Sequence, residues 1–183
     1  MPLLRLHTIG HSTRTIEELI SLLQAHGVTQ LVDVRAIPWS RRHPQFNREV
    51  MPASLGETGI RCTHMPGLGG LRKPRQDSIN AGWRNAGFRA YADYMQTAEF
   101  AANLTALLDR AREASTAIMC AEAAPWRCHR SLIADALVVR GVEVRHITSA
   151  TRAEPHTLTA FARVEGFAIT YPAGGEQDRL RLE

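Results

Sequence analysis

The sequence predicts a three-layer α/β/α sandwich around a mostly parallel central sheet of about five strands. Short β-rich or apolar segments alternate along the chain with segments of helical periodicity. This alternation is typical of a parallel sheet that carries helices on both faces. Of the 183 residues 44% are hydrophobic, which is enough to bury a core of domain size. We therefore expect a single α/β domain over residues 1–172 and a flexible tail over residues 173–183.

The chain opens with the pattern of a β-α-β unit. Residues 3–9 are typical of a strand that ends at Gly10, and Thr15 with Glu18 forms a capping box at the start of a helix. Apolar residues then recur at the spacing of a helix buried on one face. Further strands are predicted at residues 31–34, 60–65, 116–121 and 142–147.

Helices are predicted in four further regions, at residues 48–57, 88–96, after Thr97 and at residues 131–139. Pro52 favours a helix that starts near its own position, because a proline deep inside a helix removes a hydrogen bond. The glycine-rich stretch at residues 66–87 is expected to be a loop that closes over a site. Residues 150–171 are expected to add a short helix and an edge strand.

Several classes of protein are disfavoured by composition. No apolar run approaches the roughly 20 residues that a membrane span requires. The first eleven residues lack the basic and then apolar layout of a secretory signal. Three cysteines are too few and too odd in number for a disulfide framework. We therefore expect a cytoplasmic protein with reduced thiols and no membrane partner.

Positive charge is concentrated in the middle of the chain. Residues 35–89 contain ten Lys or Arg and three Asp or Glu, a balance of +7 in a chain whose net charge is +4. A basic segment of this kind indicates a small anionic ligand, a nucleic acid or simply a solvated arginine-rich surface. Trp39, Phe46 and Trp83 lie among these arginines and are candidates to stack on bases.

Polar and titratable side chains collect where the predicted strands end. Because ligands bind beyond the carboxyl ends of parallel strands, this edge is the predicted site. The candidate residues there are His11, Ser12, Asp33, Arg35, Ser40, His64, Gly69, Gly70, Cys120, Glu122, Arg127, Cys128, His129 and Arg130.

The richest of these segments is residues 120–131, which runs from a buried strand into a helix. Backbone amides at the helix start, with Arg127 and Arg130, would attract an anion and lower the pKa of a nearby thiol. Glu122 is a candidate general acid or base. The alternative interpretation is that Cys120 and Cys128 are small packed side chains with a structural role only. Cysteine and histidine side chains here could also bind a metal, but no pair of them has a familiar metal-binding spacing.

Several motifs together resemble the domain of unknown function 488 family. They are Gly10-His11-Ser12, Leu31-Val-Asp-Val-Arg35 with Pro38 and Ser40, Pro44-Gln-Phe-Asn47, Leu68-Gly69-Gly70 with Arg72-Lys73, Asn80-Ala-Gly-Trp83, Phe88-x-x-Tyr91, and Met119-Cys-Ala-Glu122 with Cys128-His-Arg130. The resemblance covers nearly the whole chain. It implies a three-layer α/β domain and supplies no reaction.

A weaker similarity links the chain to rhodanese-like domains. Those domains also carry a Val-Asp-Val-Arg strand, a strand that ends in a reactive cysteine, and Arg-Ser at the start of a helix. Here Cys120, Arg130 and Ser131 follow that order. Arg130 lies ten residues after Cys120, which is longer than a tight anion-binding loop requires, so the similarity is an analogy.

We expect an enzyme, a hydrolase or a transferase, that acts on a small anionic substrate such as a nucleotide or phosphorylated metabolite. The candidate substrate-binding residues are Ser12, Arg35, Ser40, His64, Gly69, Gly70, Arg127 and Arg130. The candidate catalytic residues are Cys120, Glu122, Cys128, His129, Asp33 and His11. A rhodanese-like or phosphatase-like thiol enzyme and a non-catalytic nucleic-acid-binding protein are the alternatives. No cofactor or metal is assigned, and a homodimer stays open.

Overall fold

The computed structural model describes residues 3–174, which form five α-helices and eight strands. The strands are β1 (Arg5–Gly10), β2 (Gln30–Asp33), β3 (Arg61–His64), β4 (Thr116–Cys120), β5 (Glu143–Ser149), β6 (Arg152–Pro155), β7 (Arg163–Glu165) and β8 (Ala168–Thr170). The helices are α1 (Ile16–Ala25), α2 (Met51–Gly56), α3 (Ala86–Tyr94), α4 (Ala98–Glu113) and α5 (Arg130–Val139). The tail predicted at residues 173–183 lies outside the described residues from residue 175 onward.

Six strands form one sheet in the order β3-β2-β4-β1-β5-β6. The first five are parallel, and β6 pairs antiparallel with β5. The predicted mostly parallel sheet is confirmed, and β6 is the edge strand expected within residues 150–171. The carboxyl ends of β1, β2 and β4 are adjacent at one edge, so the loops that follow these strands meet there.

Each face of the sheet carries its own hydrophobic core, as a three-layer sandwich requires. One core packs α1 and α2 against the sheet through Leu19, Leu23 and Leu55. The other packs α3, α4 and α5 through residues such as Tyr91 and Leu132. None of the helices between residues 3 and 174 combines the length and the apolar composition that crossing a bilayer requires.

The local signals at the helix starts act as predicted. Thr15 and Glu18 form the capping box of α1, and Thr97 accepts a hydrogen bond from the Phe100 amide at the start of α4. Pro52 lies in the first turn of α2, where a proline costs no helical hydrogen bond. The helix is therefore shorter than the predicted range of residues 48–57.

The short helix predicted within residues 150–171 is wrong. This segment forms β6 and then the separate β7–β8 hairpin. The edge strand expected in the same range is present as β6, which pairs antiparallel with β5.

Gly10, at the end of β1, is expected to be the glycine least tolerant of a side chain. A Cβ at this position would collide with the Glu122 carbonyl group and lie 2.9 Å from the Ala123 Cα. Gly10→Ala should therefore lower the free energy of unfolding by about 3 kcal/mol. The matched control is Gly56→Ala in α2, where a Cβ meets nothing within 4 Å. That change should be neutral or stabilise by about 0.5 kcal/mol. Urea unfolding of both variants checks the difference, and equal stability would contradict this packing.

Candidate functional site

A cavity of about 420 Å³ lies at the carboxyl edge of the sheet. Its walls come from the segment after β2, the glycine-rich loop, the start of α3 and the loop between β4 and α5. The lining residues are Arg35, Ala36, Ile37, Gly70, Leu71, Asn85, Gly87, Phe88, Cys120, Ala121, Glu122, Arg127, Cys128 and His129. Half of them are residues that the sequence nominated for the site. We call this cavity the thiol pocket.

Cys128 is the most strongly activated group in the thiol pocket. Its Sγ accepts a hydrogen bond from the Arg130 backbone amide at 3.4 Å and lies 3.5 Å from His129 Nδ1. Cys128 precedes α5 by two residues, so the positive end of the helix faces the sulfur. A side-chain hydrogen bond from Cys120 and the His129 imidazole hold the pKa of Cys128 well below that of an ordinary thiol. These contacts favour the thiolate form of Cys128.

His129 is oriented by the neighbouring strand. Its Nε2 lies 3.0 Å from the Val34 carbonyl oxygen, so Nε2 carries a hydrogen and donates it. Nδ1 is then free to exchange a proton with Cys128. Gly70 packs on the same ring, because a Cβ there would lie 2.6 Å from Nδ1. A thiol nucleophile, a base and a group that orients the base would require this arrangement of side chains.

Cys120 is the neutral partner of this thiolate. Its Sγ lies 3.7 Å from the Glu122 carbonyl oxygen, and the residue is buried at the end of β4. The hydrogen bond to Cys128 and burial raise the pKa of Cys120. Cys62 lies on β3, outside the pocket, and burial raises its pKa to about 11. All three cysteines are free.

Asp33, Arg35 and His11 form a buried cluster beside the pocket. Asp33 accepts two hydrogen bonds from the Arg35 guanidinium, at 2.9 and 2.6 Å. His11 Nε2 lies 3.3 Å from Arg35 Nη1, and burial lowers the pKa of His11 to about 4. Only Arg35 of the three lines the pocket. Asp33 and Arg35 therefore form a buried ion pair.

Two charged side chains remain exposed in the pocket wall. They are Glu122, whose Oε1 accepts a 3.4 Å hydrogen bond from the Ala124 amide, and Arg127. Arg127 forms no side-chain hydrogen bond or ion pair with residues 3–174. It is therefore free to meet an anion in the pocket.

The other nominated residues support the walls from behind. The Arg130 guanidinium is buried and donates to the Glu122 carbonyl oxygen at 2.6 Å and to Thr8 Oγ1 at 3.2 Å. His64 Nε2 lies 2.8 Å from the Arg35 carbonyl oxygen. These contacts join residue 122 to α5 and the segment after β2 to β3.

Ser12, Ser40 and Gly69 likewise lie outside the pocket lining. Ser40 is bound within its own loop, where its Oγ accepts a hydrogen bond from the His43 amide at 3.1 Å. Ser12 donates its backbone amide to the Ala121 carbonyl oxygen at 2.9 Å. Gly69 is buried against Ala36, which a Cβ would meet at 2.8 Å. These three residues shape the loops around the site.

The glycine-rich loop is anchored rather than open. Tyr91 and Tyr94 donate their hydroxyl hydrogens to the Leu68 and Gly67 carbonyl oxygens, at 2.8 and 2.6 Å. Arg72 binds the Gly69 carbonyl oxygen at 3.0 Å and lies over the Tyr94 ring. Leu71 is exposed at the rim of the pocket. The loop therefore already covers one side of the site.

Sequence reasoning missed a second polar group of residues on the other side of the β4–α5 loop. Asp135, on α5, accepts hydrogen bonds from His156 Nε2 and from the Tyr171 hydroxyl, both at 2.8 Å. His156 Nδ1 lies 2.9 Å from His146 Nε2. A separate cavity of about 320 Å³ is lined by both histidines. No local signal could have found this group, because its members come from separate elements.

The structure leaves fewer aromatic residues for base stacking than the sequence suggested. Phe46 is buried and stacks on His11, with ring centroids 4.2 Å apart. Trp83 is half-buried and packs on Phe88 at 4.9 Å. Trp39 is exposed. Among residues 3–174, no group of three or more His, Cys, Asp or Glu side chains has an arrangement that could hold a metal ion.

The chain matches the family model of the domain of unknown function DUF488 over residues 15–137. The protein belongs to the DUF488 family. The matched region contains every residue that lines the thiol pocket. In this DUF488 member, His11, Ser12, His146 and His156 lie outside the matched region. Searches of the curated proteins and of the solved structures found no match.

Proposed function

We propose that this DUF488 member is an enzyme, a hydrolase or a transferase, that acts on a small anionic substrate through a covalent intermediate on Cys128. The observation that carries the proposal is the environment of Cys128 Sγ. The sulfur accepts the Arg130 amide hydrogen, contacts His129 Nδ1 and lies in the wall of a pocket. A thiolate beside an oriented imidazole is the arrangement of an activated nucleophile. This choice combines the anionic substrate and the thiol chemistry that the sequence left as separate hypotheses.

The anionic nature of the substrate rests on Arg127. This guanidinium is exposed in the pocket wall and has no partner among the described side chains. Arg35 contributes less charge, because Asp33 neutralises it. Ile37, Leu71 and Phe88 add an apolar side to the pocket, which suits a substrate with one charged end.

In the proposed reaction, the Cys128 sulfur attacks the electrophilic atom of the substrate and forms a bond to it. The bond to the leaving group breaks, and the leaving group departs with the electron pair and takes a proton from His129. Water then attacks the intermediate in a hydrolase, or a second substrate does so in a transferase, and Cys128 returns as the thiolate. Glu122 is exposed at the pocket and is the proposed acid or base for that second nucleophile.

Alkylation with iodoacetamide, read peptide by peptide by mass spectrometry, tests the nucleophile. Cys128 should react at pH 6 at close to its maximal rate, whereas Cys62 should react only in alkaline solution. His129→Gln should move the half-maximal rate of Cys128 to higher pH, because it removes the proton acceptor. If the alkylation rates of Cys128 and Cys62 depended on pH in the same way, as for an ordinary thiol, the proposal would be excluded.

Ligand protection and two substrates separate the reaction classes. Orthophosphate should slow the alkylation of Cys128, and Arg127→Gln should weaken this protection while the Cys62 rate stays unchanged. Hydrolysis of p-nitrophenyl phosphate would assign a phosphatase-like reaction. Transfer of sulfur from thiosulfate to cyanide would assign a rhodanese-like one. If no anion tested were turned over and none protected Cys128 from alkylation, the proposal of an anionic substrate would be contradicted.

A further inference from the structure

We propose that Cys120 and Cys128 are a peroxide-sensitive pair, in which Cys128 is oxidised and Cys120 resolves it into an intramolecular disulfide. The proposal rests on the thiolate of the proposed function and adds a reversible modification of the same pocket. It gives a role to the neutral thiol of Cys120, which the proposed catalytic scheme does not use.

The two sulfur atoms share one environment. Both residues line the thiol pocket, and both are largely buried, with 3% and 6% of Cys120 and Cys128 exposed. Both also belong to the same hydrophobic core, and the Cys120 thiol is the main cause that lowers the pKa of Cys128. A disulfide requires the two sulfur atoms to approach to about 2.05 Å. Oxidation therefore needs a local adjustment rather than the meeting of distant elements.

The connecting segment can supply that adjustment. Cys120 ends a strand buried in the centre of the sheet, whereas Cys128 follows a loop whose one regular part is the turn Pro125–Arg127. Ala121, Glu122 and Ala123 in this loop are exposed. The Cys128 side can therefore move toward Cys120 while the strand stays in place.

The chemistry balances with hydrogen peroxide as the oxidant. The Cys128 thiolate attacks one peroxide oxygen, the O–O bond breaks, and the products are a sulfenic acid on Cys128 and hydroxide. The Cys120 sulfur then attacks the Cys128 sulfur and loses its proton, the S–O bond breaks, and water leaves. Two thiol groups are oxidised to one disulfide, and one peroxide is reduced to two waters. The disulfide blocks the nucleophile until a thiol reductant restores it.

Cys62 provides an internal control within the same chain. It lies on β3, away from the thiol pocket, and is only partly buried. If oxidation followed exposure alone, Cys62 would react before the two buried cysteines. The pair in the pocket should react first if its environment decides the reaction.

Stoichiometric hydrogen peroxide added to the full chain tests the pair. Peptide mapping without reductant should find a Cys120–Cys128 disulfide, with the loss of two hydrogens from the intact mass, and dithiothreitol should reverse both. In Cys120→Ser, dimedone should trap a sulfenic acid on Cys128 at least about tenfold more than in the unmodified sequence. Cys62→Ser should behave as the unmodified sequence does.

Two outcomes would overturn the proposal. One is over-oxidation of Cys128 to the sulfinic acid in the unmodified sequence without any disulfide. The other is a disulfide that involves Cys62 in preference to Cys120. Since the mapping uses the unmodified chain, misfolding of a variant does not affect it. If Cys128 is alkylated at pH 6 but forms no disulfide with peroxide, this pair is rejected and the proposed function stands. If Cys128 is neither alkylated at pH 6 nor oxidised to a disulfide, the thiolate itself is rejected.

Discussion

Cys128→Ser is expected to lower the turnover of any anionic substrate that the protein accepts by about 10³-fold or more. The serine hydroxyl occupies a similar volume, but the hydrogen bonds from the Arg130 amide and the contact with His129 do not suffice to ionise it. The thermal stability should change little, because a similar small side chain remains. Initial rates and a thermal unfolding scan on the same preparation check both expectations.

The matched control for this change is Cys62→Ser. Cys62 lies on the edge strand β3 and is absent from the lining of the thiol pocket. Its replacement should leave the rate within about twofold of the original. If Cys128→Ser retained most of the activity, the covalent intermediate would be wrong, and the site would act through Glu122 and Arg127 alone.

Acidification from pH 8 to pH 5 is expected to remove a large part of the free energy of unfolding. His7, His11 and His146 are buried, and desolvation is the main cause that lowers the pKa of each to about 4. In the unfolded chain each takes up a proton below about pH 6.5, whereas the folded protein resists until about pH 4. Stability therefore falls as the pH decreases through this window, by about 2 kcal/mol for each histidine at pH 5.

Urea unfolding at a series of pH values measures this dependence. His7→Phe removes one of the three histidines, and the loss of stability between pH 8 and pH 5 should then shrink by the contribution of one histidine. His7 is a suitable choice because its Nδ1 has no hydrogen-bond partner among the described residues. A free energy of unfolding that does not change between these pH values would show that the buried histidines are not neutral.

Much of the fold follows from local patterns in the sequence. The alternation of strands and helices predicts the parallel sheet, and Thr15, Thr97 and Pro52 predict where three helices begin. These signals suffice because caps and proline act within one helical turn. The edge strand expected within residues 150–171 is present as β6, but the short helix expected there is replaced by the β7–β8 hairpin. A hairpin depends on the pairing of its two strands, which local periodicity does not reveal.

The candidate site was predictable in position and less so in detail. The rule that ligands bind at the carboxyl ends of parallel strands leads to Cys120, Glu122 and Cys128 without any structure. The same rule also selects Asp33 and His11, which pair with Arg35 below the pocket wall. Polar residues at a strand end thus share an edge, while the direction of each side chain depends on packing.

The environment that favours ionisation of Cys128, and not of another cysteine, depends on contacts between residues that are distant in sequence. The imidazole of His129 is oriented by the Val34 carbonyl oxygen and is covered by Gly70. Cys128 and His129 are adjacent in the chain, and adjacency alone does not distinguish a reactive pair from a helix start that merely fills space. Only the three-dimensional arrangement shows which ring nitrogen faces the sulfur.

The strand order also determines when the thiol pocket can form during synthesis. Both neighbours of β1 come from the second half of the chain, since β4 and β5 flank it. A nascent chain that ends before Thr116 can pair β2 with β3, but its β1 has no partner strand. The loop between β4 and α5, which carries Cys128, has not yet been made. Non-local pairing of this kind is slow and comes late. The thiol pocket can therefore form only as the sheet closes, and a partly made chain leaves the apolar β1 segment without its sheet partners.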